Sequence, residues 1–324
     1  MTSRSYHEIL FLLVICLLLL IGFLGPVFWK TPQLAINNKI FEKNFGNVSV
    51  NIDRLSQFHT NKNYLSSDQF NNKIIVLEWS KLILNNVKTG VPVARMYFPY
   101  IPRNISEYET NKKKSVFLAI LLPIALRGNE LVLNERKLMN IAFSSNNIYQ
   151  IEKFSKKYKI KNFKIINFSE LNRLDLNNIK QELSKKINTI PISMILAQAI
   201  IESGWGSSRF AQQGNALFGE WTWKNHTGIK PKGNLDANFS VKNFSNLLES
   251  VNSYILNLNT HPAYKDLRNH REKQIQTGKN VTGYELSYFL ENYAEIGFEY
   301  VIKVTNMIKN NKLNQFEYSK LENF

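Results

Sequence analysis

Apolar residues recur three and four positions apart along most of the chain from residue 74 onward, which is the spacing of amphipathic helices. This pattern predicts helices at about 74–88, 148–158, 174–187, 245–258, 283–293 and 297–309. The apolar stretch Val116–Leu126 continues to Leu138 and predicts one long helix that can bend at Pro123. Between residues 218 and 239, short runs of Gly, Trp, Thr, Lys and Pro predict a loop or a small hairpin. The fold class expected is therefore mainly α with a small β-hairpin lobe.

The N-terminal segment Ile9–Trp29 is uniformly apolar and contains no charged residue. At about 1.5 Å rise per residue, it is long enough to cross a hydrocarbon core of about 30 Å. No small-x-small cleavage site follows it, so an uncleaved transmembrane helix is expected. Arg4 on its short side favours a cytoplasmic N-terminus, which places the rest of the chain across the membrane. A cleaved signal peptide is the alternative.

The formal net charge is +16 at pH 7, which indicates attraction to polyanions. Nucleic acid is not expected as a partner behind a membrane anchor. The lysines of Asn111–Lys114 are expected to lie in a solvated loop. The single cysteine, Cys16, lies inside the apolar N-terminal segment, and the histidines lack metal-binding spacing. Thiolate chemistry, a metal and a cofactor are therefore not expected.

Glu202 is the most informative single residue, because it is the only carboxylate between Glu182 and Glu220. It closes an apolar helical pattern that begins near Pro191, and a Gly-Trp-Gly turn follows at once. A carboxylate in apolar surroundings loses hydration, which raises its pKa and suits it to donate a proton near neutral pH. The plainer alternative is a carboxylate that caps backbone groups or pairs with Arg209.

Three motifs occur in a fixed order: Ala197–Arg209, Gly214–Gly219 and Glu291–Ala294. Together they resemble the glucosaminidase domain of glycoside hydrolase family 73, a lysozyme-like α fold that cleaves peptidoglycan. Longer stretches, Tyr254–Tyr264 and Asn292–Tyr300, bring the resemblance closest to the Bax-type, membrane-linked members. The resemblance covers residues 180–312 well and extends more weakly to Leu121–Leu138.

Hydropathy, composition and this resemblance together divide the chain into a cytoplasmic tip and anchor, a linker, a helical region of unknown role, the glucosaminidase domain and a C-terminal tail. The expected boundaries are 1–30, 31–75, 76–180, 181–312 and 313–324.

The resemblance also implies roles for individual residues. Glu202 would protonate the glycosidic oxygen, and Tyr293 would line the cleft opposite it. The residues expected to contact substrate are Gln198, Trp205, Asn215, Phe218, Trp221 and Trp223.

A second catalytic carboxylate is where the chain departs from better-known family members. In the lobe at residues 220–238 the only acidic residues are Glu220 and Asp236, and neither has a matching position. Two reactions stay open. In inversion, a carboxylate roughly 6.5–9.5 Å from the acid activates water; in substrate assistance, the N-acetyl group attacks the anomeric carbon.

The function expected is an endo-β-N-acetylglucosaminidase that cuts the GlcNAc-β-1,4-MurNAc strand of peptidoglycan. It would be a single-pass protein of the bacterial inner membrane, held by residues 9–29, with its catalytic domain in the periplasm. The alternatives are a lysozyme-like or lytic transglycosylase-like muramidase, and a non-catalytic peptidoglycan-binding scaffold. The partners expected are the glycan strands of peptidoglycan and the inner membrane.

Overall fold

The computed structural model describes residues 72–160, 171–223, 228–230 and 238–323, which belong to one compact unit that begins at Ser56. The predicted membrane anchor at 9–29, most of the predicted linker and Asp236 lie outside these ranges. The helices are α1 (Lys73–Thr89), α2 (Thr110–Ser144), α3 (Ile148–Lys157), α4 (Arg173–Lys186), α5 (Ile192–Ser203), α6 (Arg209–Gly214), α7 (Leu247–Thr260), α8 (Lys265–Gln276), α9 (Gly283–Leu286) and α10 (Phe298–Asn310). The strands are β1 (Trp221–Thr222) and β2 (Ser240–Val241). The prediction of a mainly α fold with a small hairpin is confirmed for these residues.

Helix α2 is the central helix of the fold and packs against α1, α3, α5 and α7. Gly128 lets α2 and α7 approach closely, because a Cβ there would lie 2.9 Å from both Ile255 Cδ1 and Val251 Cγ1. Pro123 lies inside α2, and the helix continues through it. By length and apolarity α2 is the one described helix that could span a membrane, yet 72% of its most apolar stretch is buried inside the protein. This burial makes α2 a core helix.

The first turn of α2 corrects one expectation. Asn111–Lys114 is helical rather than a solvated loop. Lys114 Nζ donates to Asn311 Oδ1 at 3.2 Å and lies 5.1 Å from the centre of the Trp205 ring. The side chain therefore ties the start of α2 to the end of α10 and to the turn after α5.

Helix α5 is the most deeply buried short helix, because it is surrounded by α2, α9, α10 and the 3₁₀ turn Leu313–Phe316. Every residue from Ile192 to Ile200 is buried. Helix α5 is apolar on all sides, as expected for a helix that lies inside the core. Packing on all sides therefore fixes the position of the last turn of α5, which includes Glu202.

Helix α8 was not predicted, because its sequence is almost entirely polar. Its inward face carries Leu267, Arg268 and Arg271, and all three are buried. Arg271 donates to the carbonyl oxygens of Lys185 at 2.7 Å and Thr189 at 2.9 Å, and to Asn259 Oδ1 at 2.9 Å. Burial lowers the pKa of Arg271 to about 9. A helix with two arginines among its three buried positions shows no apolar periodicity.

The region predicted as one helix at 283–293 is instead broken. It consists of α9 followed by the 3₁₀ turns Ser287–Phe289 and Glu291–Tyr293. The Leu290 backbone bends between these turns, and Ala294 is extended. After the break, the Tyr293 ring lies against Tyr300 of α10, so the break matters for the site described next.

The C-terminal segment after α10 is packed against the N-terminal half of the unit. Leu321 forms a parallel bridge with Val93, and the Glu322 backbone N–H donates to the Val93 carbonyl at 3.0 Å. Arg95 donates to the Glu322 carbonyl and to both carboxylate oxygens of Glu130. This segment thus holds a defined position in the fold.

Candidate active site

Glu202 lies on the last turn of α5, where the backbone reverses abruptly. Gly204, Trp205 and Gly206 all have left-handed φ angles, of 58°, 58° and 77°. Ser203 fixes this turn, since its Oγ donates to the Ala199 carbonyl at 2.6 Å and accepts from the Gly206 N–H at 2.9 Å. Trp205 adopts a conformation that bulky side chains normally avoid. The turn ends the buried helix directly after Glu202 and leaves that side chain half-buried.

A chain of three buried side chains leads to the Glu202 carboxylate. Tyr300 Oη donates to Glu202 Oε1 at 2.7 Å. Gln198 Nε2 donates to Tyr300 Oη at 3.1 Å, and Gln198 Oε1 accepts from Tyr254 Oη at 2.6 Å. Gln198 and Tyr254 are fully buried, and Tyr300 is 2% exposed. Helices α5, α7 and α10 are thereby joined at one polar network behind Glu202.

The carboxyl group of Glu202 is set up to hold a proton more tightly than an ordinary glutamate. Burial raises its pKa above the usual value, while the hydrogen bond from Tyr300 and the positive charge of Lys303 pull the pKa down. Burial outweighs the other two effects, so the net shift is upward. Within the described ranges no second carboxylate contributes to this shift.

Tyr293, which the family resemblance places opposite the acid, packs against Tyr300, the residue that hydrogen-bonds Glu202. Its hydroxyl donates to the Phe218 carbonyl at 3.1 Å. Its ring stacks on the ring of Tyr300, with centroids 5.1 Å apart and planes 13° apart. Burial raises the pKa of Tyr293 well above its ordinary value, so the phenol stays protonated.

Tyr300 is the site residue that the sequence reasoning missed. It shares the buried face of α10 with Val304 and Ile308 at spacings of four, and this spacing is typical of a core aromatic residue. The only signal in the sequence was its place at the end of the Asn292–Tyr300 match. Its hydroxyl, not that of Tyr293, makes the direct contact with Glu202.

Two residues expected to contact substrate are instead buried beneath the site, which corrects those expectations. Gln198 is fully buried, with both ends of its amide bonded to tyrosine hydroxyls. Phe218 is 3% exposed, and its ring stacks on Tyr254 at 3.9 Å. Neither side chain has a surface that a glycan can reach. They support the tyrosines behind Glu202.

Asn215 is also held by the protein itself. It ends α6 in a left-handed conformation with φ of 51°. Its Nδ2 donates to the Phe244 carbonyl at 3.0 Å, which ties α6 to the segment before α7. Asn215 is therefore a turn residue whose amide nitrogen is engaged, and its contact with an N-acetyl substituent stays a prediction.

Of the three tryptophans predicted to contact substrate, one is packed and two are exposed. Trp205 is half-buried and meets Phe117 edge-on at 6.0 Å. Trp221 and Trp223 are 47% and 68% exposed and lie 6.3 Å apart at the start of the hairpin. Trp221 also stacks on Phe239 at 4.5 Å, so its ring is held flat against the hairpin. Flat exposed rings of this kind can pack on the C–H face of a sugar.

Glu220 is engaged in an ion pair at the base of the hairpin. Its Oε2 accepts from Lys242 Nζ at 2.7 Å and from Ser253 Oγ at 2.9 Å. Its side chain is only 10% exposed. The carboxylate therefore holds β2 and α7 together. Asp236, the other candidate for a second carboxylate, lies outside the described residues.

The described residues offer no metal site, and a separate cavity lies far from Glu202. No group of three His, Cys, Asp or Glu side chains is placed to hold a metal ion in these ranges. A cavity of about 450 Å³ lies at the opposite end of α5, beside Pro191 and Ile192. Its carboxylates are already bonded, Glu130 to Arg95 and Glu317 to Ser193 and the Gly283 N–H. One helix length, about 18 Å, separates this cavity from Glu202.

Comparison with known proteins gives a family match and a relative. Residues 177–313 match the family described as mannosyl-glycoprotein endo-beta-N-acetylglucosaminidase. The chain is 28% identical to "Protein bax" of Escherichia coli (strain K12) over 193 residues, which cover 58% of this chain and 66% of that relative, just under two thirds of its length. No solved structure matches the chain. Residues 177–313 are thus similar to the glucosaminidase family, and the chain has a Bax-named relative.

Proposed function

We propose that this protein is a peptidoglycan hydrolase, an endo-β-N-acetylglucosaminidase that uses Glu202 as its general acid. The observation that carries the proposal is the environment of Glu202, a half-buried carboxyl group whose pKa is raised by burial. A proton donor to a glycosidic oxygen must keep its proton near the working pH. The family match supports glycosidase chemistry at this position.

The bond to be cut is that between N-acetylglucosamine and N-acetylmuramic acid. As the C1–O bond breaks, its electron pair goes to the leaving oxygen, and Glu202 delivers the proton that this oxygen needs. The positive charge that develops at C1 is then met either by a water molecule or by the substrate's own N-acetyl oxygen. Glu220 is not expected to activate the water, because its carboxylate is already paired with Lys242.

Exposed aromatic rings support a glycan as the substrate. Trp221 and Trp223 expose apolar ring faces at the start of the hairpin. The +16 charge favours a polymer that carries carboxylates, as peptidoglycan stem peptides do. The apolar segment at residues 9–29 would hold the enzyme at the inner membrane with its catalytic domain in the periplasm.

The test is an analysis of the products released from purified sacculi. The full chain should be used, since α2 belongs to the same hydrophobic core as α5 and a fragment beginning at residue 180 would lack it. N-acetylglucosamine is expected at the new reducing ends. Glu202→Gln should abolish product release, whereas the exposed Glu152→Gln on α3 should leave it unchanged.

Each alternative gives a different result. N-acetylmuramic acid at the reducing ends would identify a muramidase, and a 1,6-anhydro product would identify a lytic transglycosylase. Binding to sacculi without soluble product, unaffected by Glu202→Gln, would identify a scaffold. Any of these outcomes would overturn the proposed specificity or activity.

A further inference from the structure

We infer that the chain Tyr254–Gln198–Tyr300 is a positioning relay that fixes Glu202 in one orientation and reserves Oε2, the oxygen facing Gly219, for the acid proton. This inference rests on the proposed function of Glu202. It assigns positioning roles to Gln198 and Tyr300, neither of which needs to touch substrate.

The direction of each hydrogen bond follows from the chemistry of the Gln198 amide. Its oxygen only accepts and its nitrogen only donates. The 2.6 Å contact to Tyr254 fits an O–H donor on the amide oxygen, and the 3.1 Å contact to Tyr300 fits an N–H donor. Tyr300 therefore accepts from Gln198, and its own single proton remains for Glu202. Oε1 of Glu202 is thus occupied as an acceptor.

Because the relay is buried, the direction of its hydrogen bonds stays the same over the ordinary pH range. Water cannot replace a partner, since the relay side chains are 0–2% exposed. Burial also raises the pKa of both Tyr254 and Tyr300 well above the ordinary value of a tyrosine, so neither phenol loses its proton.

The ionisable groups that interact with the Glu202 charge come from α7, α10 and the turn before α10. They are Tyr254, Tyr293, Tyr300 and Lys303. The three phenols remain neutral, and Lys303 is the cation among them. Glu202 is therefore the member of this set whose protonation changes in the acidic to neutral range.

Because Oε1 accepts from Tyr300, the proton of the acid form belongs on Oε2. This oxygen faces Gly219, where a Cβ would lie 3.4 Å away. Gly219 has a left-handed φ of 63°, which also favours glycine. Any larger side chain at this position would occupy the space in front of Oε2. The backbone at Gly219 thus leaves a path for the leaving oxygen to reach the proton.

The relay also favours proton transfer itself. When the Oε2–H bond breaks and the proton passes to the glycosidic oxygen, Glu202 becomes a carboxylate. A hydrogen bond to a charged acceptor is stronger than one to a neutral acceptor. The bond from Tyr300 therefore strengthens as the reaction proceeds, and it stabilises the transition state more than the ground state.

The test compares pH profiles of kcat/KM for the full chain on glycan strands. Removing the Tyr300 hydroxyl in Tyr300→Phe destabilises the charged form of Glu202, so the pKa of the carboxyl rises. Because the acid must be protonated, the alkaline limb should move to higher pH, by about one pH unit. Gln198→Met should move it in the same direction by less, since Tyr300 keeps its proton for Glu202.

The matched control is Tyr293→Phe, the same substitution on the ring stacked against Tyr300. Its hydroxyl binds the Phe218 carbonyl and not Glu202, so the alkaline limb should stay where the wild type has it, whatever the rate. If Tyr300→Phe is too slow to assay, the Glu202 carboxyl can be titrated by difference infrared spectroscopy, with its band assigned by its loss in Glu202→Gln.

An alkaline limb, or an infrared titration, that Tyr300→Phe leaves unmoved or moves to lower pH would overturn the relay. That result leaves the proposed function intact if Glu202→Gln is inactive. Retained hydrolysis by Glu202→Gln would instead overturn the proposed function. The two failures are therefore distinguishable.

Discussion

The close approach of α2 and α7 predicts that Gly128→Ala destabilises the protein. Alanine in a helix interior is normally better than glycine by roughly 0.5–1 kcal/mol. Here the added Cβ would lie 2.9 Å from Ile255 Cδ1 and from Val251 Cγ1, closer than real contacts allow. Overpacking of this kind costs about 1–3 kcal/mol. The net expectation is a loss of about 1 kcal/mol of unfolding free energy.

The measurement is urea unfolding of the full chain, followed by circular dichroism. Asn134→Ala, an exposed position on the same helix, is the matched control and should leave the midpoint unchanged or raise it. Ile255→Val removes one of the two clashing methyl groups. In a double-mutant cycle it should therefore recover part of the Gly128→Ala loss.

A rise in stability for Gly128→Ala equal to that of Asn134→Ala would contradict the reasoning. It would mean that α2 and α7 are not in contact at this position. The shared core, and with it the need for α2 in an active enzyme, would then lose its support.

Three further predictions concern the site. Because burial raises the pKa of Glu202, the contribution of this carboxyl group to stability is complete at low pH and is lost as pH rises through that pKa. Glu202→Gln should therefore raise the thermal midpoint relative to the wild type more at pH 7 than at pH 4. An equal effect at both pH values would contradict the burial. Glu220→Gln should lower the free energy of unfolding by about 1–3 kcal/mol, because it weakens a mostly buried ion pair. The variant should still hydrolyse the glycan. Loss of activity as complete as in Glu202→Gln would make Glu220 the second catalytic group. Trp221→Ala and Trp223→Ala should raise KM for glycan strands several-fold with little change in thermal stability, and an unchanged KM would remove both rings from the binding surface.

Helical periodicity predicted most of the fold, because most helices here bury an apolar face. The apolar run that ends at Glu202 became α5, with bounds one residue from those expected. Helix α8 escaped prediction because two of its three buried positions are arginines that bond to carbonyl oxygens. The break at Leu290 was also missed, because the apolar residues on either side still follow helical spacing.

The candidate site was located by motif, but its internal contacts were not. Gln198 was expected at the substrate because the resemblance includes it in the same motif as Glu202. Its side chain instead points into the core, where α7 and α10 supply hydroxyl partners. Such partners come from residues 56 and 102 positions away along the chain. Spacing within one helix cannot show which side chains a distant helix brings to it.

The most direct test of Glu202 as general acid compares two leaving groups in Glu202→Gln. A natural glycan strand needs its leaving oxygen protonated, whereas a 2,4-dinitrophenyl glycoside of the same N-acetylglucosamine-ended fragment leaves as a stable anion without help. The rate on the glycan strand should fall by about 10²-fold or more, while the rate on the activated glycoside should change little. An equal loss on both substrates would contradict the assignment of Glu202 as the proton donor.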